Sequence, residues 1–466
     1  MPLRAAHVLL MLLIVPTLVS ADSSRVKNVL FIVSDDLKAG VLGCYGDRFC
    51  KTPNIDRLAR EGMVFDRAYC QGMACRPSRR SFMFGRYVGT ATESSGHTSM
   101  AQHFKNNGWY SARVGKIYHM RVPGDIIPGT NGPDHAASWT ERFNCPGQEA
   151  HTPGAYALLN KNIFTTELPG RESTGDRYRM FVSVKAEGDG SDQPDSRAAV
   201  KAIELLNKHK ERPFFLAVGF VRPHYPMVAP TKYFEDYPYA ELPLPKTIPN
   251  DIEDMPKKAI GRNRSQTNGI GRYPDNIKRM WAAYYASVTF MDKQVGRVID
   301  ELDRLGLRDS TAIVFTSDHG YHLGEHGFWE KSNLHEEVIR VPLIISSPGK
   351  QPGRSKALVE LVDIFPTVTE LAGLKPIQGL HGKSLVPALD DPTTHIRDAA
   401  ISFLSGGHSL RFQDWAYTHY GDGQEELYNM NQDPHQFTNL AGDPKHKQRV
   451  KTFRSALRER LAGIRR

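Results

Sequence analysis

The chain alternates short, largely apolar runs with longer segments in which apolar residues recur every three to four positions. Apolar runs of this kind are typical of strands buried on both faces of a parallel sheet, and they are residues 26–33, 110–114, 213–221, 311–315 and 341–346. Helical periodicity lies between them, at residues 53–61, 195–209, 278–305 and 361–372. The alternation predicts an α/β fold with a large, mostly parallel central sheet, over about residues 22–375.

The pattern changes in three other parts of the chain. Residues 120–190 and 226–276 are rich in Gly, Pro and Asp, so we expect long loops of the kind that shape a substrate cleft. Beyond Pro376, four short apolar runs separated by turns precede a charged helical segment at 445–461. Residues 376–466 are therefore expected to form a smaller C-terminal subdomain with an antiparallel sheet.

The N-terminus has the order of a secretory signal peptide. Arg4 is followed by an apolar run of about 12 residues and then by Val19-Ser20-Ala21, so residues 1–21 are expected to be removed on export. We therefore expect a secreted or periplasmic protein, or a lysosomal one in a eukaryote. No other stretch has 18 apolar residues, so no transmembrane anchor is expected.

Composition narrows the class of protein. Apolar residues make up 40% of the 466 residues and charged residues 24%, which fits neither a disordered polyelectrolyte nor a membrane bundle. The formal net charge is +9, or +8 once Arg4 is removed, and it suits an acidic partner without requiring one. Five cysteines are too few for a disulfide scaffold, and the odd number leaves at least one to explain.

Acidic residues follow two of the predicted strands. Asp35 and Asp36 come directly after the first, and Asp318 with His319 ends the run that starts at residue 311. Parallel strands present their carboxyl ends at one edge of a sheet, so these groups are expected to converge on one metal ion. The alternative for the Asp35–Asp36 pair alone is a solvated turn with a capping carboxylate.

The segment Cys75-Arg76-Pro77-Ser78-Arg79 is the most specific motif in the chain. With Ser34-Asp35-Asp36, residues 52–58, Gly115-Lys116, the Asp318 strand end and residues 426–429, the sequence resembles the type I sulfatases over nearly its whole length. It is most similar to the iduronate-2-sulfatase branch. The resemblance implies an alkaline-phosphatase-like sandwich fold and sulfuric ester hydrolysis.

The resemblance also implies a set of cofactors. In that family the motif cysteine is oxidised before folding to formylglycine (3-oxoalanine), so Cys75 would be the substrate of a formylglycine-generating enzyme. A calcium ion would be held by residue 75 together with Asp35, Asp36, Asp318 and His319. His319 stands where many sulfatases have Asn, and because a nitrogen ligand is softer than calcium prefers, the identity of the metal is less certain than its presence.

The remaining roles follow from the same resemblance. Arg79 would pair with the metal-bound hydroxyl of residue 75, and Lys116 and Lys331 would hold the sulfate oxygens. His119 would take a proton from the second hydroxyl of the hydrated aldehyde, and His224 would bind sulfate or protonate the leaving alcohol. Without the motif, Lys116 and His119 would fit a solvated helix face, and His224 a turn after a strand.

Three other features leave alternatives open. His322 and His326 lie four residues apart, but Gly324 weakens the helix that a zinc site would need, so we interpret this tract as a loop beside the metal site with Trp329 placing Lys331. Cys44 and Cys50 could form a small loop disulfide, while Cys70 and Cys145 could pair or stay free. Residues 263–265 form the only Asn-x-Ser triplet, whose alternatives are a glycan and an unmodified loop.

Sequence thus predicts an enzyme that removes sulfate from a sulfated sugar, with the 2-O-sulfate of a uronate in a glycosaminoglycan or algal polysaccharide as the expected substrate. A phosphomonoester or phosphonate ester hydrolase of the same fold is the alternative, although most such phosphatases use Ser or Thr and two zinc ions. A catalytically dead carbohydrate-binding homologue is the other alternative, and an unmodified Cys75 would favour it. No nucleic-acid partner is expected, and the sequence leaves the oligomeric state undefined.

Overall fold

The computed structural model describes residues 26–171, 179–331 and 333–464. The predicted signal peptide at residues 1–21 lies outside the described residues. None of the helices in the described ranges is long and apolar enough to cross a membrane.

The strands of the described chain are, in order, β1 (Asn28–Asp35), β2 (Met63–Tyr69), β3 (Tyr110–Gly115), β4 (Glu141–Phe143), β5 (Gly154–Leu158), β6 (Ile163–Thr165), β7 (Val182–Ala186), β8 (Phe214–Pro223), β9 (Met227–Pro230), β10 (Thr311–Ser317), β11 (His322–Leu323), β12 (Trp329–Glu330), β13 (Arg340–Val341), β14 (Leu343–Ser346), β15 (Gly353–Glu360), β16 (Ala400–Leu404), β17 (Gly407–Arg411), β18 (Trp415–Tyr420) and β19 (Glu425–Asn429).

The α-helices of the described chain are α1 (Pro53–Arg60), α2 (Cys75–Phe84), α3 (Met100–Asn106), α4 (Pro194–His209), α5 (Thr231–Glu235), α6 (Ser265–Asn268), α7 (Pro274–Arg304), α8 (Glu336–Ile339), α9 (Ile364–Leu371), α10 (Val386–Asp390) and α11 (Lys447–Ile464). Each predicted helical segment overlaps one of them, although α4 and α7 begin before the predicted start and α11 ends after the predicted end.

The large sheet is mixed, with a parallel centre. Strands β10, β1, β8, β3 and β4 are parallel neighbours in that order. On the β10 side, β14 runs antiparallel to β10 and to β2, and β15 joins β2 in parallel. The centre agrees with the prediction, whereas β2 and β15 extend the sheet beyond the predicted runs.

Helices cover both faces of this sheet. Along β1, Leu30 and Ile32 belong to one hydrophobic cluster, and Val29, Phe31 and Val33 belong to the other. The first cluster includes residues of α1, α4 and α7, and the second includes residues of α2, α3 and α9. Because both faces are buried, a central strand such as β1 has no polar face, which explains its continuous apolar run.

The long loops predicted for residues 120–190 and 226–276 were only partly right. Strands β5, β6, β7 and β9 lie in or at the edge of these regions and form a separate four-stranded sheet in the order β6-β5-β7-β9. Each of these strands has only three to five residues. Strand β7 pairs in parallel with the edge strand β9, which is distant in the chain, with Ser183 opposite Met227. Such short runs carry too few positions to show a clear alternation.

The C-terminal part contains the predicted antiparallel sheet. Strands β16, β17, β18 and β19 pair in sequence order, and all three pairings are antiparallel. Helix α11 packs against this sheet through Val450 and Leu457. This confirms the small C-terminal sheet, while the boundary at residue 376 stays a prediction.

A buried ion cluster joins the end of β15 to the start of the C-terminal sheet. Arg397 contacts the carboxylates of Glu360 and Asp363, and all three side chains are buried. The backbone N–H of Ile401 in β16 donates to Glu360 at 2.8 Å, and the hydroxyl of Tyr87 donates to the same side chain at 2.7 Å. The guanidinium of Arg397 therefore forms ion pairs with two buried carboxylates at once.

We predict that Arg397→Ala destabilises the protein by about 3–5 kcal/mol, because it leaves buried carboxylates without their partner. Denaturant unfolding followed by circular dichroism measures this loss. Arg458→Ala, at an exposed position on α11, is the matched control and should change stability by no more than about 0.5 kcal/mol. Equal stability of the two variants would contradict the role assigned to the Arg397 cluster.

Candidate active site

Three carboxylates meet at the carboxyl edge of the central sheet. Asp35 ends β1, Asp36 follows it, and Asp318 follows β10. Strands β1 and β10 are parallel neighbours with Ser34 opposite Ser317, so the residues after these two positions lie side by side. All three carboxylates are fully buried. The predicted convergence of these strand ends is what the structure shows.

Arg79 bridges two of the carboxylates. Its Nε donates to Oδ2 of Asp318 at 2.8 Å, and its Nη2 donates to Oδ1 of Asp35 at 2.9 Å. Its Nη1 donates to the carbonyl oxygens of Lys116 and Ile117. Sequence reasoning placed Arg79 against residue 75, whereas in the structure its donors are taken up by the carboxylates and these carbonyls. Arg79 therefore holds the two strand ends together.

Cys75 is the first residue of α2 and lies beside the carboxylates. Its Sγ is 3.9 Å from Oδ1 of Asp36 and 3.2 Å from Nζ of Lys331, and the residue is 4% exposed. Cys75 and Arg79 are four residues apart, so one helix face directs both toward the site. Burial, and after it the charge of Asp35, raises the pKa of the Cys75 thiol, so the unmodified side chain would be a protonated and poor nucleophile.

Two lysines complete the charge balance. Lys116, just after β3, contacts Oδ2 of Asp35 through Nζ, and Nζ of Lys331 lies 2.6 Å from Oδ1 of Asp36. Burial alone would lower the pKa of Lys331, but the carboxylate of Asp36 raises it well above the ordinary range. Together with Arg79, the lysines match three buried anionic groups with three cationic ones.

The carboxyls of Asp35 and Asp36 respond differently to this environment. Burial acts to raise the pKa of Asp35, but Lys116 and Arg79 hold it well below the ordinary value. For Asp36 the effect of burial prevails over the attraction of Lys331, and its pKa is raised. Asp36 is the less well neutralised of the two, which favours an additional positive charge next to it.

His319 presents a free ring nitrogen to the carboxylates. Its Nδ1 is 3.0 Å from the carbonyl oxygen of Gly320, an acceptor, so we assign the proton to Nδ1. Its Nε2 lies 3.4 Å from Oδ1 of Asp36 and 3.7 Å from Oδ2 of Asp318, and it has no hydrogen-bond partner among the described residues. A buried, unprotonated imidazole nitrogen facing carboxylates is suited to bind a metal.

These donors fit a divalent cation. Ligand atoms of Cys75, Asp318 and His319 lie within 4.8 Å of one another, as do those of Asp35, Asp36, Cys75 and His224. Oδ2 of Asp36 is buried without a hydrogen-bond partner in the described chain. Of the predicted ligands Asp35, Asp36, Asp318 and His319, three are carboxylates, which a hard cation prefers. Asp36 also has a left-handed φ of 62°, a conformation that a non-glycine residue keeps only when its surroundings impose it.

His119 and His224 lie close to the same charges. Nε2 of His224 is 3.8 Å from Oδ2 of Asp36, and its Nδ1 is 2.6 Å from the carbonyl oxygen of Tyr225. Burial, reinforced by Lys116, lowers the pKa of His119 to about 3 and that of His224 well below its usual value. Both rings are therefore neutral at pH 7: His119 can accept a proton at once, whereas His224 must first gain one before it can act as an acid.

The tract from His322 to His326 makes no zinc site. His322 shares a hydrogen bond with Asn333, and Nδ1 of His326 lies 3.0 Å from Asp251. In the described residues, neither histidine belongs to a group of three converging ligand atoms. The tract instead forms β11 and the start of the turn that leads to β12, the strand directly before Lys331.

All five cysteines are free thiols in the structure. The small disulfide between Cys44 and Cys50 that the sequence left open is not formed, and Cys70 and Cys145 are unpaired as well. Sγ of Cys70 lies 3.4 Å from the carbonyl oxygen of Gly72, and burial raises the thiol pKa of Cys70.

Sequence reasoning missed two groups that shape the site. The hydroxyl of Tyr284 on α7 donates to the carbonyl oxygen of Asp36 at 2.6 Å. Asp195 on α4 accepts from the backbone N–H groups of Val221 and Arg222, at 2.7 and 3.0 Å, and so holds the end of β8 that leads to His224. Both residues are far in sequence from the Cys75 motif. Their neighbours on the two helices form ordinary amphipathic patterns, so nothing in the nearby sequence indicates a role in the site.

Comparisons with known proteins agree with this geometry. The family model described as Sulfatase matches residues 27–374, and the one described as N-sulphoglucosamine sulphohydrolase, C-terminal, matches residues 324–463. A sulfatase of Formosa agariphila is 31% identical over 92% of this chain and 86% of its own length. Iduronate 2-sulfatase of Homo sapiens is 34% identical over 76% of this chain and 71% of its own length.

A solved structure supports the fold. The phosphonate monoester hydrolase of Agrobacterium radiobacter superposes with a TM-score of 0.77, covering 94% of this chain and 96% of that one at 21% identity. This likeness concerns the fold alone and confirms the alkaline-phosphatase-like architecture expected from the sequence. The matched family model spans well over half of the chain. The chain therefore belongs to the sulfatase family and is a sulfuric ester hydrolase.

Proposed function

We propose that this protein removes the 2-O-sulfate of a uronate in a sulfated polysaccharide, with formylglycine at position 75 as nucleophile and a bound calcium ion. The observation that carries the proposal is the place of residue 75. It lies at the point where the carboxylates of β1 and β10 meet Lys331, within reach of both a cation site and an ammonium group. A sulfate group bound there would have the ammonium group of Lys331 and the bound cation beside it.

The buried state of the motif supports modification before folding. Ser78 and Arg79 are at most 1% exposed, and Cys75 lies beneath the surface with them. The hydroxyl of Ser78 donates to the backbone carbonyl of Asp318, and Arg79 is fixed by carboxylates. An enzyme that reads this motif as a linear segment has no access to it in the folded chain. The proposed maturation partner, a formylglycine-generating enzyme, would therefore act on the unfolded segment.

Asp35, Asp36, Asp318 and His319 would hold the calcium ion, together with the modified residue 75. When bound, calcium lowers the pKa of a hydroxyl on residue 75 and draws charge from the sulfate oxygens. The oxygen-rich set favours calcium, and the single nitrogen of His319 makes the site slightly softer than an all-oxygen one.

The hydrated aldehyde carries two hydroxyls on one carbon, which gives the reaction a built-in release step. One hydroxyl gives its proton to water and forms a bond to sulfur, while the bond from sulfur to the sugar oxygen breaks. In its protonated form, His224 gives a proton to that leaving oxygen. Lys116 and Lys331 hold the sulfate oxygens through the transition state.

Release of sulfate follows from the second hydroxyl. His119 is neutral and half-buried, so it can take the proton of this hydroxyl. The oxygen then forms the aldehyde double bond, and the bond from carbon to the sulfate oxygen breaks. Sulfate leaves and water rehydrates the aldehyde. A plain serine has one hydroxyl and would stop at the sulfate ester.

The substrate proposal rests on similarity and charge. Human iduronate 2-sulfatase is 34% identical. The Asp318-His319 pair and the Arg222-Pro223-His224 segment resemble that branch. The net charge of +8 expected after export suits a polyanionic glycan. Secretion or a periplasmic location would bring the enzyme to such a polymer, and glycosaminoglycan or algal polysaccharide degradation is the process we propose.

We predict that the tryptic peptide with residue 75 is about 18 Da lighter than its sequence requires, because hydrogen sulfide is lost and one oxygen is gained. Mass spectrometry of active enzyme measures this. The tryptic peptide with Cys145, residues 143–161, is the internal control and should keep the unmodified mass. An active preparation in which residue 75 is entirely thiol would overturn the mechanism.

Cys75→Ser should form the sulfate ester but not release it, so the intact protein should gain about 80 Da on incubation with substrate. Cys70→Ser, a buried cysteine outside the ligand group, is the matched control and should turn over normally without a mass gain. Steady turnover by the Cys75→Ser variant would show that two hydroxyls on one carbon are not needed.

The substrate can be tested with defined sulfated disaccharides that differ only in the sulfated position. We expect sulfate release from 2-O-sulfated uronates to exceed release from 6-O-sulfated hexosamines by at least tenfold in kcat/KM. Ion chromatography of free sulfate measures both, and a phosphate ester of the same alcohol tests the phosphatase alternative. Preference for another sulfated position would refute the uronate assignment and leave sulfate ester hydrolysis intact.

A further inference from the structure

We propose that the segment from Asn263 to Ser265 positions Lys331 over residue 75 by fixing the short strand β12 that precedes this lysine. The inference rests on the sulfate-binding role proposed above for Lys331. It assigns a use to the Asn-x-Ser triplet, whose role the sequence left open. The contacts involve the backbone of the triplet and the side chains of Asn263 and Ser265.

The backbone of the triplet pairs with the strand before the lysine. The N–H of Trp329 donates to the carbonyl oxygen of Asn263 at 2.8 Å, and Arg264 forms an antiparallel bridge with Phe328. On its other edge β12 pairs with β11, through Leu323 opposite Trp329. A two-residue strand in a lone hairpin would be held weakly, so the second partner matters for its position.

The side chains of the triplet reach the same strand. The hydroxyl of Ser265 accepts from the indole Nε1 of Trp329 at 2.8 Å, and the ring of Trp329 is 1% exposed. The amide Nδ2 of Asn263 donates to the carboxylate of Glu330. Trp329 and Glu330 are the two residues directly before Lys331. Ser265 thus binds the first of them, and Asn263 binds the second.

Glu330 needs such support because of its backbone. Its φ is 67°, in the left-handed region that a residue with a Cβ keeps only when its contacts impose it. This bend directs the chain from β12 toward the site, where Nζ of Lys331 lies 3.2 Å from Sγ of Cys75. A lysine side chain has four rotatable bonds, so a fixed backbone is what limits where its ammonium group can lie.

The contacts also bear on glycosylation. A glycan would be attached to Nδ2 of Asn263, the atom that donates to Glu330 in a half-buried position. Its attachment would crowd the Glu330 contact, so the triplet is suited to a positioning role and poorly suited to carry a sugar.

The test is a double-mutant cycle with Ser265→Ala and Lys331→Ala in the full-length, matured enzyme. We expect Ser265→Ala to lower kcat/KM for a sulfate ester by roughly tenfold or more and to weaken binding of inorganic sulfate, while the thermal midpoint of unfolding changes little. In the Lys331→Ala background the same substitution should have no further effect on kcat/KM, because the group it positions is absent.

Two matched variants separate positioning from a general effect. Thr267→Ala removes a hydroxyl of α6 that donates to the backbone carbonyl oxygen of Arg264 and not to β12, and should leave kcat/KM unchanged. Ser265→Thr keeps a hydroxyl and should restore most of the activity. Asn263→Ala should repeat the Ser265→Ala result.

Several outcomes would overturn the inference. Equal activity of Ser265→Ala and Thr267→Ala would do so, as would additive losses in the cycle, which would mean an effect that does not pass through Lys331. Unfolding of both Ser265→Ala and Asn263→Ala would show a global structural role instead. Full activity of Lys331→Ala would contradict the inference and also the sulfate-binding role of Lys331, whereas the other outcomes leave that role intact.

Discussion

Three carboxylates buried side by side are the constraint on which this structure depends. Asp35, Asp36 and Asp318 are fully buried at adjacent strand ends, where their mutual repulsion and lost hydration oppose folding. Such a group is stable only with positive charge in contact. The chain supplies a guanidinium and two ammonium groups and leaves converging ligand atoms that suit one cation. Much of the surrounding architecture serves to bring these charges together.

The position of residue 75 follows from this constraint. Arg79 lies between the carboxylates of Asp35 and Asp318. Cys75 is one helical turn before Arg79 on α2, so its side chain lies beside the same carboxylates. The two lysines come from opposite sides, Lys116 from the end of β3 and Lys331 from the segment after β12. The groups that neutralise the carboxylates in the folded protein are therefore also the groups that would receive a sulfate. Stability and chemistry here depend on the same contacts.

The sequence was sufficient to predict the central strands and the acidic residues at their ends, but not the contacts that surround them. All eight residues of strand β1 are buried, so its sequence is a nearly continuous apolar run that predicts a central strand. The acidic residues at the end of such a run are easy to identify as candidate site residues. Several contacts join residues that are distant in the chain. Examples are the hydrogen bonds of Arg79 to the carboxylates, of Asn263 to Glu330, and of the β8 backbone to Asp195. Such pairings depend on the completed fold. Similarity to a known family predicted which residues matter, but not what Arg79 contacts.

The most direct test of the account is the metal content of the active enzyme. We predict about one calcium ion per chain by elemental analysis after gel filtration, lost together with activity in Asp318→Asn. Asp309→Asn changes an exposed carboxylate just before β10, at its opposite end, and should keep both the metal and the activity. A fully active enzyme with no stoichiometric divalent cation, or an Asp318→Asn variant that keeps its calcium, would contradict the central claim that the buried carboxylates form a cation site.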